Sequence, residues 1–94
     1  MQKITYEYKG TMIKVTNALK ESYEYAEPIL TVRNALLALN KRYSNKLDQF
    51  VNGDVSLILK KDGQPGVLIN NDSSFDIELG DINTITFFYP FKGG

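Results

Sequence analysis

One stretch of this 94-residue sequence has helical periodicity, and apolar runs with a period of two lie on both sides of it. Within residues 31 to 43 the apolar side chains recur at the i, i+4, i+7 and i+11 spacing of one helix face: Val32, Leu36, Leu39 and Tyr43. Thr31 belongs to the residue types that cap helix N-termini. We therefore predict an amphipathic helix over residues 31 to 43 that packs its apolar stripe on a sheet.

The residues before this helix predict one strand and leave the next element open. Apolar and polar residues alternate in the first run, which is typical of a half-buried strand: Ile4, Tyr6 and Tyr8. Two alternatives then remain for residues 11 to 27. Ile13 and Val15 could form the hairpin partner of the first strand. A second alternating run lies further along the chain: Tyr23, Tyr25 and Ile29.

The residues after the helix contain four short apolar runs separated by turn residues. These runs are Val55-Leu57-Leu59, VLINN at residues 67 to 71, Phe75-Ile77-Leu79, and Ile85-Phe87-Tyr89. The glycines between them fit no phosphate-binding motif and are predicted to be turn residues: Gly53, Gly63, Gly66 and Gly80. The second half of the chain is therefore expected to consist of strands.

The order of strands, one principal helix and further strands predicts the fold class. It places helix and sheet in two layers of an α+β domain, with one face of the sheet buried under the helix. A small barrel with a single helix is the competing architecture. Pro90 lacks an N–H for the strand ladder, so the last strand should end near Tyr89. We expect one domain over residues 1–90 and a flexible tail over residues 91–94.

The composition disfavours several classes of function. The chain has no Cys and no His, so it lacks the best protein nucleophile and the commonest general base, and we expect it not to be an enzyme. Lys plus Arg and Asp plus Glu each number 11, which leaves no net basic charge for nucleic-acid binding. No apolar stretch is long enough to span a membrane and no secretory signal is visible, so we expect a cytoplasmic protein.

A group of acidic residues in the second half is the one candidate for a metal site: Asp72, Asp76, Glu78 and Asp81. Their spacing lacks the dense ligand arrangement of a calcium loop. Carboxylates in turns and at strand edges are usually exposed to solvent. We therefore predict no metal ion and no cofactor bound by the chain itself.

The last residues of the sequence, TITFFYPFKGG, suggest a different chemistry. Gly93 and Gly94 have no Cβ atoms, so they can enter a channel too narrow for any side chain. A terminal carboxylate is a poor electrophile, but ATP can activate it as an acyl-adenylate that a sulfur donor or an amine then attacks. The alternative is that the two glycines arose by chance or from an artificial chain end.

Three segments of the sequence resemble a known family: PGVLINN at residues 65 to 71, LGD at residues 79 to 81, and TITFFYPFKGG at residues 84 to 94. Together with the preceding helix they are similar to the C-terminal half of the ubiquitin-like sulfur carriers. This family includes the small subunit of molybdopterin synthase (MoaD type), the thiamine sulfur carrier (ThiS type) and the ubiquitin-related modifier. The similarity covers roughly residues 31 to 94, and the tail is its most specific part.

The resemblance implies a β-grasp fold whose tail is adenylated at Gly94 by an E1-like adenylyltransferase that uses ATP, and is then converted to a thiocarboxylate. It implies transfer of this sulfur to an acceptor such as the large subunit of molybdopterin synthase. Gly93 would provide clearance beside Gly94. Four further residues become candidate partner contacts: Phe88, Pro90, Phe91 and Lys92. For the phenylalanines, packing in the core is an equal alternative.

Two other functions are compatible with the same residues. A ubiquitin-like protein modifier would use the activated Gly94 carboxyl to form an isopeptide bond with a target lysine. A non-catalytic β-grasp interaction subunit would make no use of the glycines. Lys92 stands where these carriers usually have a small residue, and only one proline, Pro90, is found where two are expected.

Overall fold

The computed structural model describes residues 2–47, 56–70 and 73–88. Five strands lie in these ranges: β1 (Gln2–Tyr8), β2 (Lys20–Tyr25), β3 (Ser56–Lys60), β4 (Val67–Asn70) and β5 (Thr84–Phe88). Two α-helices are present, α1 (Thr11–Thr16) and α2 (Val32–Arg42), together with a 3₁₀ helix at Ser73–Asp76. The chain is therefore α+β, as its sequence predicts.

The five strands form one mixed sheet in the order β2-β1-β5-β3-β4. β1 pairs with β5 in parallel, and the other three pairs are antiparallel. The last strand within the described residues is thus the central strand of the sheet. This order is compatible with a β-grasp fold, and the five strands of the described residues form an open sheet with β2 and β4 at its edges, not a barrel.

The structure decides between the two alternatives for residues 11 to 27. The hairpin partner of β1 is β2, with Ile4 opposite Tyr23, so the later alternating run is the strand. Ile13 and Val15 lie in α1, and the assignment of these residues to a hairpin strand is wrong. Thr16 Oγ1 donates a hydrogen bond to the Met12 carbonyl at 2.9 Å, which closes this single short turn of helix. Ile29 lies beyond β2 and is exposed.

The helix predicted over residues 31 to 43 is confirmed as α2 to within one residue at each end. Thr31 is its N-cap, and its side-chain oxygen accepts a hydrogen bond from the Asn34 N–H at 3.1 Å. The buried face of α2 comprises Val32, Ala35, Leu36, Leu39 and Asn40. Asn40 Oδ1 accepts a hydrogen bond from the Leu47 N–H at 2.8 Å, which fixes the chain where it leaves the helix.

Three of the four apolar runs after α2 are strands, but the run Phe75-Ile77-Leu79 is not. Phe75 lies in the 3₁₀ helix, and the following residues run beside the start of α2 instead of joining the sheet. The Val32 N–H donates to the Ile77 carbonyl at 3.1 Å, and the Leu79 N–H donates to the Leu30 carbonyl at 2.8 Å. Phe75 and Leu79 are buried, whereas Ile77 between them is 40% exposed, so burial does not follow the period of two in this run.

Several residues named in the sequence predictions lie outside the described residues, among them Gly53, Val55, Asn71 and Tyr89. Gly63 and Gly80 have φ angles of +73° and +55°, so both occupy the left-handed region in turns, as predicted. Neither α-helix within the described ranges has the length and apolar character needed to cross a membrane.

The core lies between the sheet and α2. Its largest fully buried side chains include three aromatic rings of neighbouring strands: Tyr6, Tyr8 and Phe87. The Tyr8 and Phe87 rings are stacked, with their centroids 5.7 Å apart. Every buried side-chain nitrogen or oxygen of the described residues has a hydrogen-bond partner, so the polar atoms of this core are satisfied.

Candidate functional site

The candidate tail follows β5, and β5 is held on both sides. Thr5 to Tyr8 of β1 pair in parallel with Thr84 to Phe87, and Phe88 lies opposite Ser56 of β3. The local sequence explains this position. The β-branched residues Thr84, Ile85 and Thr86 favour a strand. Ile85 and Phe87 are fully buried on the helix side and Thr86 on the other face is 8% exposed, so β5 is covered on both faces.

The structure reaches the predicted site only at Phe88. Phe88 is the last residue of β5, and only its backbone belongs to the described part of the structure. The other five predicted site residues lie outside the described residues: Pro90, Phe91, Lys92, Gly93 and Gly94. Their roles as adenylation site and partner contacts therefore stay predictions.

The face of the sheet that points away from α2 is polar on one side and apolar on the other. On the β1 and β2 side it is polar: Thr86 Oγ1 donates to Glu7 Oε1 at 2.9 Å, and the hydroxyls of Thr5 and Ser22 are 2.9 Å apart. On the β3 and β4 side, Ile58 lies opposite Leu68, which is 58% exposed. The apolar part of this face is therefore beside the strand that leads to the tail.

A carboxylate surrounded by tyrosines is the main polar cluster that the sequence analysis missed. Glu21 of β2 accepts hydrogen bonds from three phenolic hydroxyls, those of Tyr8, Tyr23 and Tyr43. The Tyr8 bond is 2.8 Å and the Tyr23 bond is 3.0 Å long. The guanidinium of Arg42 lies over the Tyr23 ring, with its Cζ atom 3.9 Å from the ring centroid. These contacts connect β1 and β2 to the end of α2.

The electrostatics of this cluster favour one fixed protonation state. Partial burial alone would raise the pKa of the Glu21 carboxyl, but the tyrosine hydrogen bonds and the nearby Arg42 outweigh burial and lower it. Burial and the hydrogen bond to Glu21 raise the pKa of the Tyr8 and Tyr43 phenols. Glu21 is thus a weaker base and the tyrosines are weaker acids than usual. We assign the cluster a structural role, because general acid–base catalysis needs a pKa near the working pH.

A signal for this cluster is present in the sequence. β2 reads KESYEY, and a period of two places Glu21 on the same face as Tyr23 and Tyr25. An acidic side chain that points to the buried face of a strand needs hydrogen-bond donors or a cation there. The phase of Glu21 could therefore have identified it as a partly buried carboxylate, but its partners outside β2 come from β1 and from the end of α2.

The acidic residues considered for a metal site are dispersed. Asp76 forms an ion pair with Arg33, with Oδ1 2.7 Å from Nε. Glu78 and Asp81 are exposed, and Asp72 lies outside the described residues. Within residues 2–47, 56–70 and 73–88, no three acidic side chains lie close enough together to hold a metal ion.

Comparison of the sequence with protein-family models gives no match, and comparison with curated proteins gives none either. The family resemblance therefore rests on the sequence motifs, and the function it implies is a proposal.

Proposed function

We propose that this chain is a β-grasp sulfur carrier of the molybdopterin-synthase small-subunit type, which carries sulfur as a thiocarboxylate on Gly94. The observation that supports this proposal most is the position of β5, the last strand, at the centre of the sheet. Residues 89–92 then separate this strand from Gly93 and Gly94. A fully extended chain covers at most about 3.4 Å per residue, so six residues after Phe88 could span up to about 20 Å, which is enough to enter a partner's active site.

The proposed chemistry takes place on the terminal carboxyl group. A carboxylate oxygen of Gly94 attacks the α-phosphate of ATP on an E1-like adenylyltransferase, and pyrophosphate leaves. A hydrosulfide equivalent from a sulfur donor then attacks the acyl-adenylate carbonyl, and AMP leaves as the C–S bond forms. The resulting thiocarboxylate would pass its sulfur to an acceptor enzyme, such as the large subunit of molybdopterin synthase, in molybdenum-cofactor biosynthesis.

The residues of the chain fit the role of a carrier that relies on partner enzymes. The sequence has no His and no Cys, and the tyrosines around Glu21 have raised pKa values. Glycine at the last two positions lets a partner's backbone approach the carboxyl group closely. Phe88, Pro90, Phe91 and Lys92 would then be the residues that contact the partner along the tail.

The test is the intact mass of the protein after incubation with ATP, an E1-like activating enzyme and a sulfur source. We expect a mass increase equal to the replacement of one oxygen by sulfur, located on Gly94 by fragmentation. A variant that lacks Gly94 and a variant extended by one serine after Gly94 are matched controls, because both leave residues 1–93 intact. An unchanged mass in the wild type would count against a carrier. Gly94-dependent conjugates with other proteins would instead indicate a protein modifier.

A further inference from the structure

The two edges of the sheet differ in their protection against pairing with another strand. β2, at one edge, has the sequence KESYEY and carries three charged residues. β4, at the other edge, has the sequence VLIN and carries none. Val67 is 61% exposed and Leu68 is 58% exposed, and they point to opposite faces of the sheet. Proteins usually protect edge strands with charges or cover them, so an uncharged edge that pairs with no further strand of the described residues is a candidate binding site.

A groove of about 360 Å³ lies beside this edge on the helix side of the sheet. Its walls are aliphatic side chains of β3 and β4 on one side and of the segment before β5 on the other: Leu59, Val67, Ile69, Ile77 and Ile82. Lys61, Gln64 and Pro65 of the β3–β4 turn complete the lining. Lys61 is the one charged residue of this lining. Its ammonium group has no carboxylate partner within the described residues.

We propose that the β4 edge and this groove bind an extended segment of a partner protein that carries aliphatic residues and one carboxylate. The segment would pair with β4 through its backbone and continue the sheet, as peptides do in β-strand addition. Alternate side chains of an added strand point to the same face, so one aliphatic side chain would enter the groove beside Val67. A carboxylate two residues away along the segment would face Lys61.

The charge of the groove favours such a partner over a second copy of this chain. A second copy could present its own β4, but Val67–Asn70 contains no carboxylate to pair with Lys61. An acidic partner segment satisfies both the aliphatic walls and the unpaired ammonium group. This inference does not depend on Gly94, because the groove is lined by residues of β3, β4 and the segment before β5.

The experiment uses the nitrogen-15-labelled full chain and a short blocked peptide, acetyl-Asp-Thr-Ile-Thr-Val-amide, as the probe. In this peptide Asp, Ile and Val share one face of the extended strand. We expect amide chemical-shift changes at Val67–Asn70 and unchanged shifts at Lys20–Tyr25. A peptide with Pro in place of Ile loses a backbone donor and should bind about tenfold more weakly. The variant without Gly93 and Gly94 should bind as the wild type does.

Two charge variants sharpen the test. Val67→Lys should weaken peptide binding about tenfold, because it places a charge at the edge and in the groove. Leu19→Lys is the matched control, since Leu19 is also an exposed aliphatic residue, 71% exposed against 61% for Val67, and lies next to the other edge strand. It should leave binding unchanged. Lys61→Glu should weaken binding of the Asp peptide about fivefold and restore it for a peptide with Lys in place of Asp.

Three results would overturn the proposal. The first is the absence of shift changes at β4 on addition of the Asp peptide. The second is an equal loss of binding in Val67→Lys and Leu19→Lys. The third is a set of β4 shifts that depend on protein concentration without peptide, which would assign the edge to a second copy of the chain. Because Val67, Lys61 and Leu19 are all exposed, the variants should fold, and the wild-type far-ultraviolet circular dichroism spectrum provides the check.

Discussion

The two halves of the sheet are built from different kinds of side chain. The tyrosine half, β1 and β2, buries aromatic rings whose hydroxyl groups form hydrogen bonds. Tyr6 and Tyr8 are fully buried, and Tyr25 is 7% exposed. The aliphatic half, β3 and β4, buries the side chains of Leu57, Leu59 and Ile69. β5 joins the halves. The polar contacts of the tyrosine half connect it to α2, whereas the aliphatic half leaves a groove open to solvent.

This difference has a physical cause in how each half meets α2. The Tyr6 hydroxyl donates to the Ala35 carbonyl of α2 at 3.3 Å, and Arg42 of α2 lies over Tyr23. The helix thus covers the tyrosine half directly. The aliphatic half is covered by the 3₁₀ helix and the chain that follows it, and this thinner cover leaves Ile77 and Val67 partly exposed. Four predictions test this comparison.

The largest effect is expected at the boundary between the halves. Phe87 of β5 is fully buried, stacks on Tyr8 and lies opposite Leu57 of β3. Phe87→Ala removes an aromatic side chain that both halves contact, so it should lower the free energy of unfolding by about 4 kcal/mol. This is a large part of the stability of a small domain. Urea denaturation followed by circular dichroism measures the loss.

Phe87→Leu is the matched control because leucine is also apolar and fills part of the space that the phenylalanine ring occupies. It should cost about 1.5 kcal/mol, since the cavity is smaller and only the aromatic contacts are lost. If Phe87→Ala cost as little as Phe87→Leu, the two halves would not share one core at this residue.

The second prediction concerns how closely β4 packs on β3 in the aliphatic half. A Cβ atom added at Gly66 would lie 2.4 Å from Ile58 Cγ2, which is too close for two carbon atoms. Gly66→Ala should therefore cost about 2 kcal/mol through overpacking. The same substitution in an Ile58→Ala background should cost much less, because the opposing methyl group is gone. Urea denaturation of the four proteins gives the coupling free energy.

Gly63→Ala is a useful contrast in the same turn. A Cβ atom at Gly63 would meet no heavy atom within 4 Å, but the φ angle of +73° strains any other residue. We expect a cost of about 1 kcal/mol that does not change in the Ile58→Ala background. Equal coupling at both glycines would show that backbone strain, and not the contact with Ile58, explains the first result.

Much of this fold could be predicted from the sequence because its strands and its long helix have clear periods. The helix face from Val32 to Tyr43 and the alternation of Ile4, Tyr6 and Tyr8 identify elements with one buried side. The run Phe75-Ile77-Leu79 shows the limit of this reasoning. Its period of two is typical of a strand, but Ile77 is 40% exposed and the backbone partner of the run is the chain at residues 30–32, not a strand of the sheet.

The candidate sites were less predictable for a different reason. The cluster around Glu21 uses residues from β1, β2 and the end of α2, so it exists only once these elements pack together. The groove beside β4 likewise combines the β3–β4 turn with Ile77 and Ile82. The tail can be proposed from local sequence alone because its chemistry would depend on two adjacent glycines and would need no tertiary contact, and its role stays a prediction.

The third prediction tests the point where α2 meets the chain under the aliphatic half. Thr31→Ala removes the oxygen that accepts the Asn34 N–H, so it should lower the free energy of unfolding by about 1 kcal/mol. Thr31→Ser keeps this oxygen and should cost less than half as much. Hydrogen exchange gives a local measurement: the Asn34 amide should lose protection in Thr31→Ala but not in Thr31→Ser. Equal exchange in both variants would contradict a capping role.

The smallest effect is expected at the polar centre of the tyrosine half, and it should depend on pH. The pKa of the Glu21 carboxyl is lowered in the folded state from its ordinary value of 4.5. A lowered pKa stabilises the fold above the ordinary value, and this contribution disappears as the pH falls through the folded-state pKa. Glu21→Gln should therefore cost only about 0.5 kcal/mol at neutral pH, because the cluster is partly open to solvent, and almost nothing in acid.

The matched control for this pH dependence is Glu24→Gln in the same strand. Glu24 is exposed and points to the opposite face of the sheet, so its loss should change the unfolding free energy little at any pH. Urea denaturation from neutral pH to below 4.5 should thus show the wild-type and Glu21→Gln curves converging in acid, while wild type and Glu24→Gln stay together throughout. A constant gap between wild type and Glu21→Gln would mean that Glu21 contributes through packing, and that the tyrosine half is not held by a charged centre.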